Sequence, residues 1–171
     1  MEITAGTLHL RPWRLSDADV VARALRDPEI RRWAPPGAPA EPDEKEWIAD
    51  RVEGWADGSS PSFAIADATT GEVLGNIRVR TVADGVGEVG YWVLPEARGR
   101  GVAGHALGAV GRWALACMEL SRLDLRHAAE NAASCRVAQK GGFALTRLLR
   151  EPSWDEENET VEVHLHTLSH A

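Results

Sequence analysis

The residues best suited by type and spacing to do chemistry lie in one run, Glu88-Val89-Gly90-Tyr91-Trp92-Val93-Leu94-Pro95-Glu96-Ala97-Arg98-Gly99-Arg100-Gly101-Val102-Ala103-Gly104. A strand-like stretch ends at Leu94, a turn of small residues follows, and a helix-forming stretch begins near Gly101. Small residues let a ligand approach the backbone, and the free N–H groups and dipole at a helix start favour an anion. Arg98 and Arg100 add positive charge at that end, where cations are unfavourable without an anion to offset them. Gly99-Arg100-Gly101-Val102-Ala103-Gly104 matches G-x-G-x-x-G letter for letter, but in a dinucleotide fingerprint the first glycine closes the strand directly. Here residues 95–98 intervene and hairpins precede, so a dinucleotide fold is excluded. No Gly-Lys-Ser/Thr follows, which excludes a nucleotide P-loop. A turn without a ligand is the remaining alternative, and it leaves the two arginines unexplained.

Other reactive side chains carry less. His164 and His166 fall on one face of the last strand, but no third ligand is evident in the sequence, so no metal is expected. Cys117 and Cys135 form neither a disulfide framework nor a zinc-type spacing and read as buried thiols of a reducing compartment. Nothing marks Cys135 as an activated thiolate, which argues against its serving as a covalent nucleophile.

The elements that must position these groups read as one domain over residues 1–171, a length that suits a single core. Strands are expected at 7–11, 62–67, 73–82, 88–94, 123–127, 143–150 and 160–167. Thr70-Gly71 and Asp84-Gly85 suit hairpin turns, which makes the middle strands an antiparallel meander. A first helix opens near Ser16-Asp17 and is ended by Asp27-Pro28. Asp43 and Glu46 cap a second, with Ile48, Val52 and Trp55 as its apolar face. A long helix covers 101–118, and a last one runs from an Asn131 cap to Gly141-Gly142. The segment 33–42 holds four prolines and reads as a loop. An α/β class with a mixed, mostly antiparallel central sheet of about seven strands flanked by helices accommodates all of this.

Composition narrows the partners. Hydrophobic residues make up 44% and charged residues 26%, which suits a globular domain. The formal net charge of −7 argues against nucleic acid and weakly favours a cationic or amine-bearing partner. The most apolar stretch, 103–120, is interrupted by His105 and Arg112, so it reads as a buried helix and not a membrane span. With no export signal at the start, a cytoplasmic location is expected.

Arg98-Gly99-Arg100-Gly101-Val102-Ala103 resembles the Q/R-x-x-G-x-G/A signature of the GNAT N-acetyltransferase superfamily. The longer pattern resembles its Rim-type (RimJ/RimL-like) branch of ribosomal-protein N-terminal acetyltransferases. There Gly90-Tyr91-Trp92 precedes the loop, and Asn131-Ala132-Ala133-Ser134 and Lys140-Gly141-Gly142-Phe143 lie downstream. Leu8-His9-Leu10-Arg11-Pro12 is similar to the same branch. Where family members often carry an acidic residue in the first turn after the loop, this chain has Gly104-His105.

The resemblance implies the GNAT fold and acetyl-CoA as co-substrate. It implies that the backbone of Gly99, Arg100, Gly101, Val102, Ala103 and Gly104, with Arg98, holds the pyrophosphate. Trp92, Val93 and Leu94 would pair with the pantetheine amides, and Asn131 would hold one of them. Glu88 would serve as general base through a water. The only tyrosine, Tyr91, lies on the strand and not after the Asn motif, so Ser134 is the implied acid for the leaving thiol. Trp33, Trp47 and Trp154 are candidate walls of the acceptor pocket, beside the acidic residues Asp155, Glu156, Glu157 and Glu159.

Proton cost separates acceptor classes. An α-amino group has a pKa of about 7.7–8.0 and a lysine about 10.4, so deprotonation at pH 7 costs about 1–1.4 kcal/mol for the first and about 4.6 for the second. A single glutamate suits the α-amine of a peptide or small molecule. The alternatives are a non-catalytic acyl-CoA-binding domain and a detoxifier of amino sugars or amino acid analogues. Monomer and homodimer both remain open.

Overall fold

The computed structural model describes residues 1–33, 43–153 and 159–170. The strands are β1 (Ile3–Ala5), β2 (Leu8–Pro12), β3 (Ser62–Asp67), β4 (Val73–Ala83), β5 (Val86–Val93), β6 (Arg122–Ala128), β7 (Ala144–Pro152) and β8 (Thr160–Ser169). The helices are α1 (Ala18–Arg26), α2 (Pro28–Arg32), α3 (Glu44–Ala56), α4 (Val102–Cys117) and α5 (Ala132–Lys140). All eight strands form one sheet in the order β1-β2-β3-β4-β5-β6-β8-β7. Every neighbouring pair is antiparallel except β5–β6.

Alternation along the strands divides the interior into two cores. On one face Leu10, Phe63, Ile65, Ile77, Val79, Val89, Leu123 and Leu125 pack against Ala106, Leu107 and Val110 of α4. The length of α4 is apolar because it lies between the sheet and α5, with eleven of its residues buried. No helix among the described residues is long and apolar enough to cross a membrane. On the other face Trp13, Val21, Ile48, Ala64 and Val73 form a smaller core under α1 and α3, with Trp47 and Trp92 packed on it. Several buried polar groups there are paired. Trp13 Nε1 and Ser62 Oγ both donate to Asn76 Oδ1, at 3.0 and 2.9 Å. The Arg11 guanidinium grips Asp17 with two bonds of 2.8 and 2.9 Å.

The structure differs from the sequence-based expectations at three points. The sheet has eight strands, not about seven, because Ile3–Ala5 pairs with β2 as a short edge. Asp27-Pro28 ends α1 as expected, but it also opens a helix the sequence does not announce. The Asp27 side chain accepts from Ile30 N–H, Pro28 takes the first helical position, and α2 begins. Val52 is 49% exposed, so α3 turns Trp47, Ile48 and Trp55 inward instead. Trp154 and the acidic residues 155–157 lie outside the described residues, as do residues 34–42 of the proline-rich loop.

Candidate active site

The sheet opens in its middle. β5 and β6 pair only at Val86↔Arg122, Gly87↔Leu123 and Glu88↔Asp124, and beyond that rung they separate. The Leu94 N–H donates to Leu74 O at 2.9 Å, so the backbone of Leu94 faces β4. Strand alternation turns Trp92 the same way and leaves the backbone of Tyr91 and Val93 facing the opening. An extended chain of amides can therefore pair with Tyr91 and Val93. Trp92 and Leu94 spend their own groups on β4. The Val93 carbonyl already accepts from Arg98 Nε at 3.2 Å.

At the end of β5 the chain turns through 95–101 into α4. Gly99 has φ 73° and Gly101 φ 77°, conformations that a side chain makes costly. Gly101 is the N-cap of α4 and no side chain caps it. Its carbonyl takes the His105 N–H at 3.1 Å, so the N–H groups of Val102, Ala103 and Gly104 lie ahead of the first helical bond. Arg100 is exposed beside this end. Arg98 acts as a brace, donating to Asp27 Oδ1 at 2.6 Å as well as to Val93. Gly104 also lets α5 approach closely, since a Cβ there would stand 3.0 Å from that of Lys140. This corner fits a diphosphate joined to a chain of amides, which is the shape of coenzyme A.

Glu88 sits at the apex of the opening, on the sheet face shared with Trp92. Its Oε1 accepts from Arg80 Nη2 at 3.0 Å, and Oε2 lies 3.8 Å from Arg126 Nη1. Arg126 is paired in turn with Glu151. The carboxylate is thus aimed, and its side chain remains 29% exposed. Trp92 packs 5.9 Å from Trp13 and 6.1 Å from Trp47. Trp47 also stacks under the Arg51 guanidinium at 4.3 Å. Trp33 ends α2 beneath its neighbour Arg32, at 4.7 Å. Among the described residues no ring contact joins Trp33 to Trp47.

The start of α5 faces the opening from the other side. Asn131 Oδ1 accepts the Ser134 N–H at 3.1 Å, which is an ordinary N-cap. Ser134 is 6% exposed, and its Oγ lies 2.8 Å from the Tyr91 hydroxyl. By sequence Tyr91 lies on the strand and not after the Asn motif, yet the structure joins it to Ser134. Burial raises the Tyr91 pKa above 10.0, and the Ser134 bond only partly offsets this, so the phenol keeps its proton at neutral pH. One signal could have found the pair. Residue 91 alternates away from Glu88 and points to the α5 side.

The histidine pair needs a further correction. His164 and His166 do have partners: His127 of β6 and Cys135 of α5 meet them, with all four donor atoms within 4.8 Å of one another.

Residues 7–144 match the acetyltransferase (GNAT) domain. Among solved structures, a GNAT-family acetyltransferase from Bacillus anthracis superposes with a TM-score of 0.85 at 20% identity, over 99% of this chain and 98% of that one. RimJ from Mycobacterium smegmatis, in complex with CoA-disulfide, gives 0.81 at 22% identity, over 96% and 83%. A spermidine N-acetyltransferase from Vibrio cholerae, in complex with CoA and spermine, gives 0.80 at 15% identity, over 95% of each chain. No curated protein sequence matches this chain. With a family match across most of its length and a sheet opened beside an uncapped helix start, the chain belongs to the GNAT family and is an acetyl-CoA-dependent N-acetyltransferase.

Proposed function

We propose that this enzyme acetylates an α-amino group, that of a peptide or of a small molecule, by direct attack within a ternary complex. The observation that carries the reading is the opening of β5 from β6 at Glu88, next to the uncapped start of α4. The Rim-type sequence pattern supports the same class of acceptor. The N–H groups of Val102, Ala103 and Gly104, with Arg100, hold the pyrophosphate. Tyr91 and Val93 pair with the pantetheine amides, and the Asn131 amide N–H group faces the same arm. Bound acetyl-CoA supplies a thioester carbonyl and a thiol leaving group. Glu88 takes the proton of the attacking amine through a water on the Trp92 face. Ser134 gives a proton to the departing sulfur and regains one from Tyr91, with which it shares a hydrogen bond, and solvent reprotonates Tyr91 as Glu88 releases the proton taken from the amine. Proton cost favours this acceptor, since an amine of pKa near 8 asks far less of one glutamate than a lysine does.

The test is thiol release from acetyl-CoA against a peptide with a free N-terminus, an Nα-blocked lysine, spermidine and an amino sugar, with wild type and Glu88→Gln. The peptide is expected to turn over fastest, and Glu88→Gln to lower kcat by about 10²–10⁴-fold. CoA affinity by calorimetry should stay unchanged. A preference for lysine, polyamine or sugar overturns the acceptor assignment. Unchanged turnover in the variant removes Glu88 from its role.

A further inference from the structure

We propose that His127, Cys135, His164 and His166 form a four-coordinate site for a zinc-class divalent ion, which fastens the first turn of α5 to β6 and β8. The fold assembles the donors from three elements. His127 on β6 stands opposite His164 in register with β8, and His166 lies two residues further on the same face. Cys135 reaches down from α5, its Sγ 3.6 Å from His166 Nε2 and 4.0 Å from His164 Nδ1. His127 Nε2 and His166 Nε2 are 3.2 Å apart. Around a tetrahedral zinc, bonds of about 2.0–2.1 Å to nitrogen and 2.3 Å to sulfur place two nitrogens about 3.3 Å apart, and nitrogen and sulfur about 3.6 Å apart. Two of the spacings found, 3.2 and 3.6 Å, match these, and all four donor atoms lie within 4.8 Å of one another.

The outer atoms of the rings point to the same conclusion. Ligating histidines are oriented by a carbonyl or carboxylate on their second nitrogen. His127 Nδ1 lies 2.8 Å from the Ala128 carbonyl, which can only accept, so the ring proton is there and the Nε2 lone pair faces the cluster. His164 Nε2 lies 3.6 Å from Glu162 Oε1, leaving Nδ1 turned inward. His166 is fully buried, and its Nδ1 closes no hydrogen bond, although the Phe143 carbonyl acts on the ring. With its proton on Nδ1, two Nε2 lone pairs oppose each other across 3.2 Å. With the proton on Nε2, a buried Nδ1 lone pair has no donor. A cation between the rings removes the conflict.

One thiolate and three imidazoles select a zinc-class ion over magnesium or calcium, which prefer oxygen. Binding releases the Cys135 thiol proton to solvent. Four protein ligands leave no open position, so the ion serves structure and not the transfer chemistry. Because Cys135 follows Ser134 directly, the ion would fix the turn that carries Asn131 and Ser134.

The full chain, stripped with a chelator, is titrated with Co²⁺ and then Zn²⁺. One equivalent of Co²⁺ is expected to give the intense d–d bands of four-coordination and a thiolate charge-transfer band, both displaced by Zn²⁺. Zn²⁺ should also raise Tm. Cys135→Ser, at a half-buried position, should fold as judged by circular dichroism, lose the charge-transfer band and bind Co²⁺ at least 100-fold more weakly. Glu162→Gln should bind about 10-fold more weakly, and Cys117→Ser should match wild type. Folded wild type that binds less than one equivalent, or gives no thiolate band, overturns the site. So does a band that persists in Cys135→Ser or vanishes in Cys117→Ser.

Discussion

The two helices that border the opening begin in opposite ways. α4 starts at Gly101, in a left-handed conformation and with no side chain over its first N–H groups. α5 starts at Asn131, whose side chain satisfies the Ser134 N–H. The first end spends nothing on itself and keeps its donors and dipole for an outside anion. The second is closed on itself and presents side chains, Ser134 toward Tyr91 and Cys135 toward the histidines. Backbone chemistry and side-chain chemistry are therefore divided between two helix starts, and substitutions at each should fail differently.

The sharpest contrast should come from Ser134→Ala. It is expected to lower kcat by about 100-fold, the lower range for a proton-transfer group, while CoA affinity by calorimetry stays near wild type. Gly101→Ala should do the reverse. A left-handed residue with a side chain costs about 1–2 kcal/mol, so the free loop should relax out of that conformation and binding must restore it; calorimetry should then show CoA affinity about 10-fold weaker, as about 1.4 kcal/mol corresponds to a factor of ten. Its kcat at saturating donor should change little. If both variants lost affinity alike, the division between the two ends would be wrong.

A smaller effect tests the cap itself. Asn131→Ala should cost about 1 kcal/mol, which is about 2–4 °C in Tm for a domain of this size. Asn131→Asp restores the acceptor for Ser134 N–H but removes the amide donor, so it should recover Tm while the KM for acetyl-CoA stays raised. The smallest effect concerns the brace behind the α4 corner. Burial disfavours the Asp27 carboxylate, but hydrogen bonds from Arg98 and from Ile30 N–H outweigh it and hold its pKa below 3.8. Its contribution is full above the ordinary carboxylate range and is lost as pH falls through that lowered value. Thermal melts should show Asp27→Asn slightly below wild type at pH 7, with the gap closing as pH drops below 3.8.

Local signals carried most of the fold. The hairpin at Asp84-Gly85, the caps at Asp43 and Asn131 and the long apolar run of α4 depend on neighbours in the chain, and each is found where the sequence puts it. β1 escaped because three residues have no periodicity of their own and exist as a strand only through β2. α2 escaped because proline ends one helix and starts another with the same ring. In the site, the glycine turn was legible because its conformation is local. The Tyr91–Ser134 contact and the four-residue histidine and cysteine cluster were not. The first depends on β6 lying beside β5 with α5 packed on α4, and the second on β8 lying beside β6, an order that no spacing announces.

The opening between β5 and β6 leaves the molecule with its weakest seam inside the sheet and not at the rim. Along that line the ribbon β1–β5 is stitched to the ribbon β6-β8-β7 by three parallel rungs and by the bonds of Ser121 and Arg122 N–H to the Gly85 carbonyl beside them. The amides of Tyr91 and Val93 should trade hydrogen for deuterium faster than their central position suggests, and slow down when a donor lies along them. On the proposed pairing the co-substrate would double as a missing strand, and the working lifetime of the folded enzyme should follow the supply of the molecule it consumes.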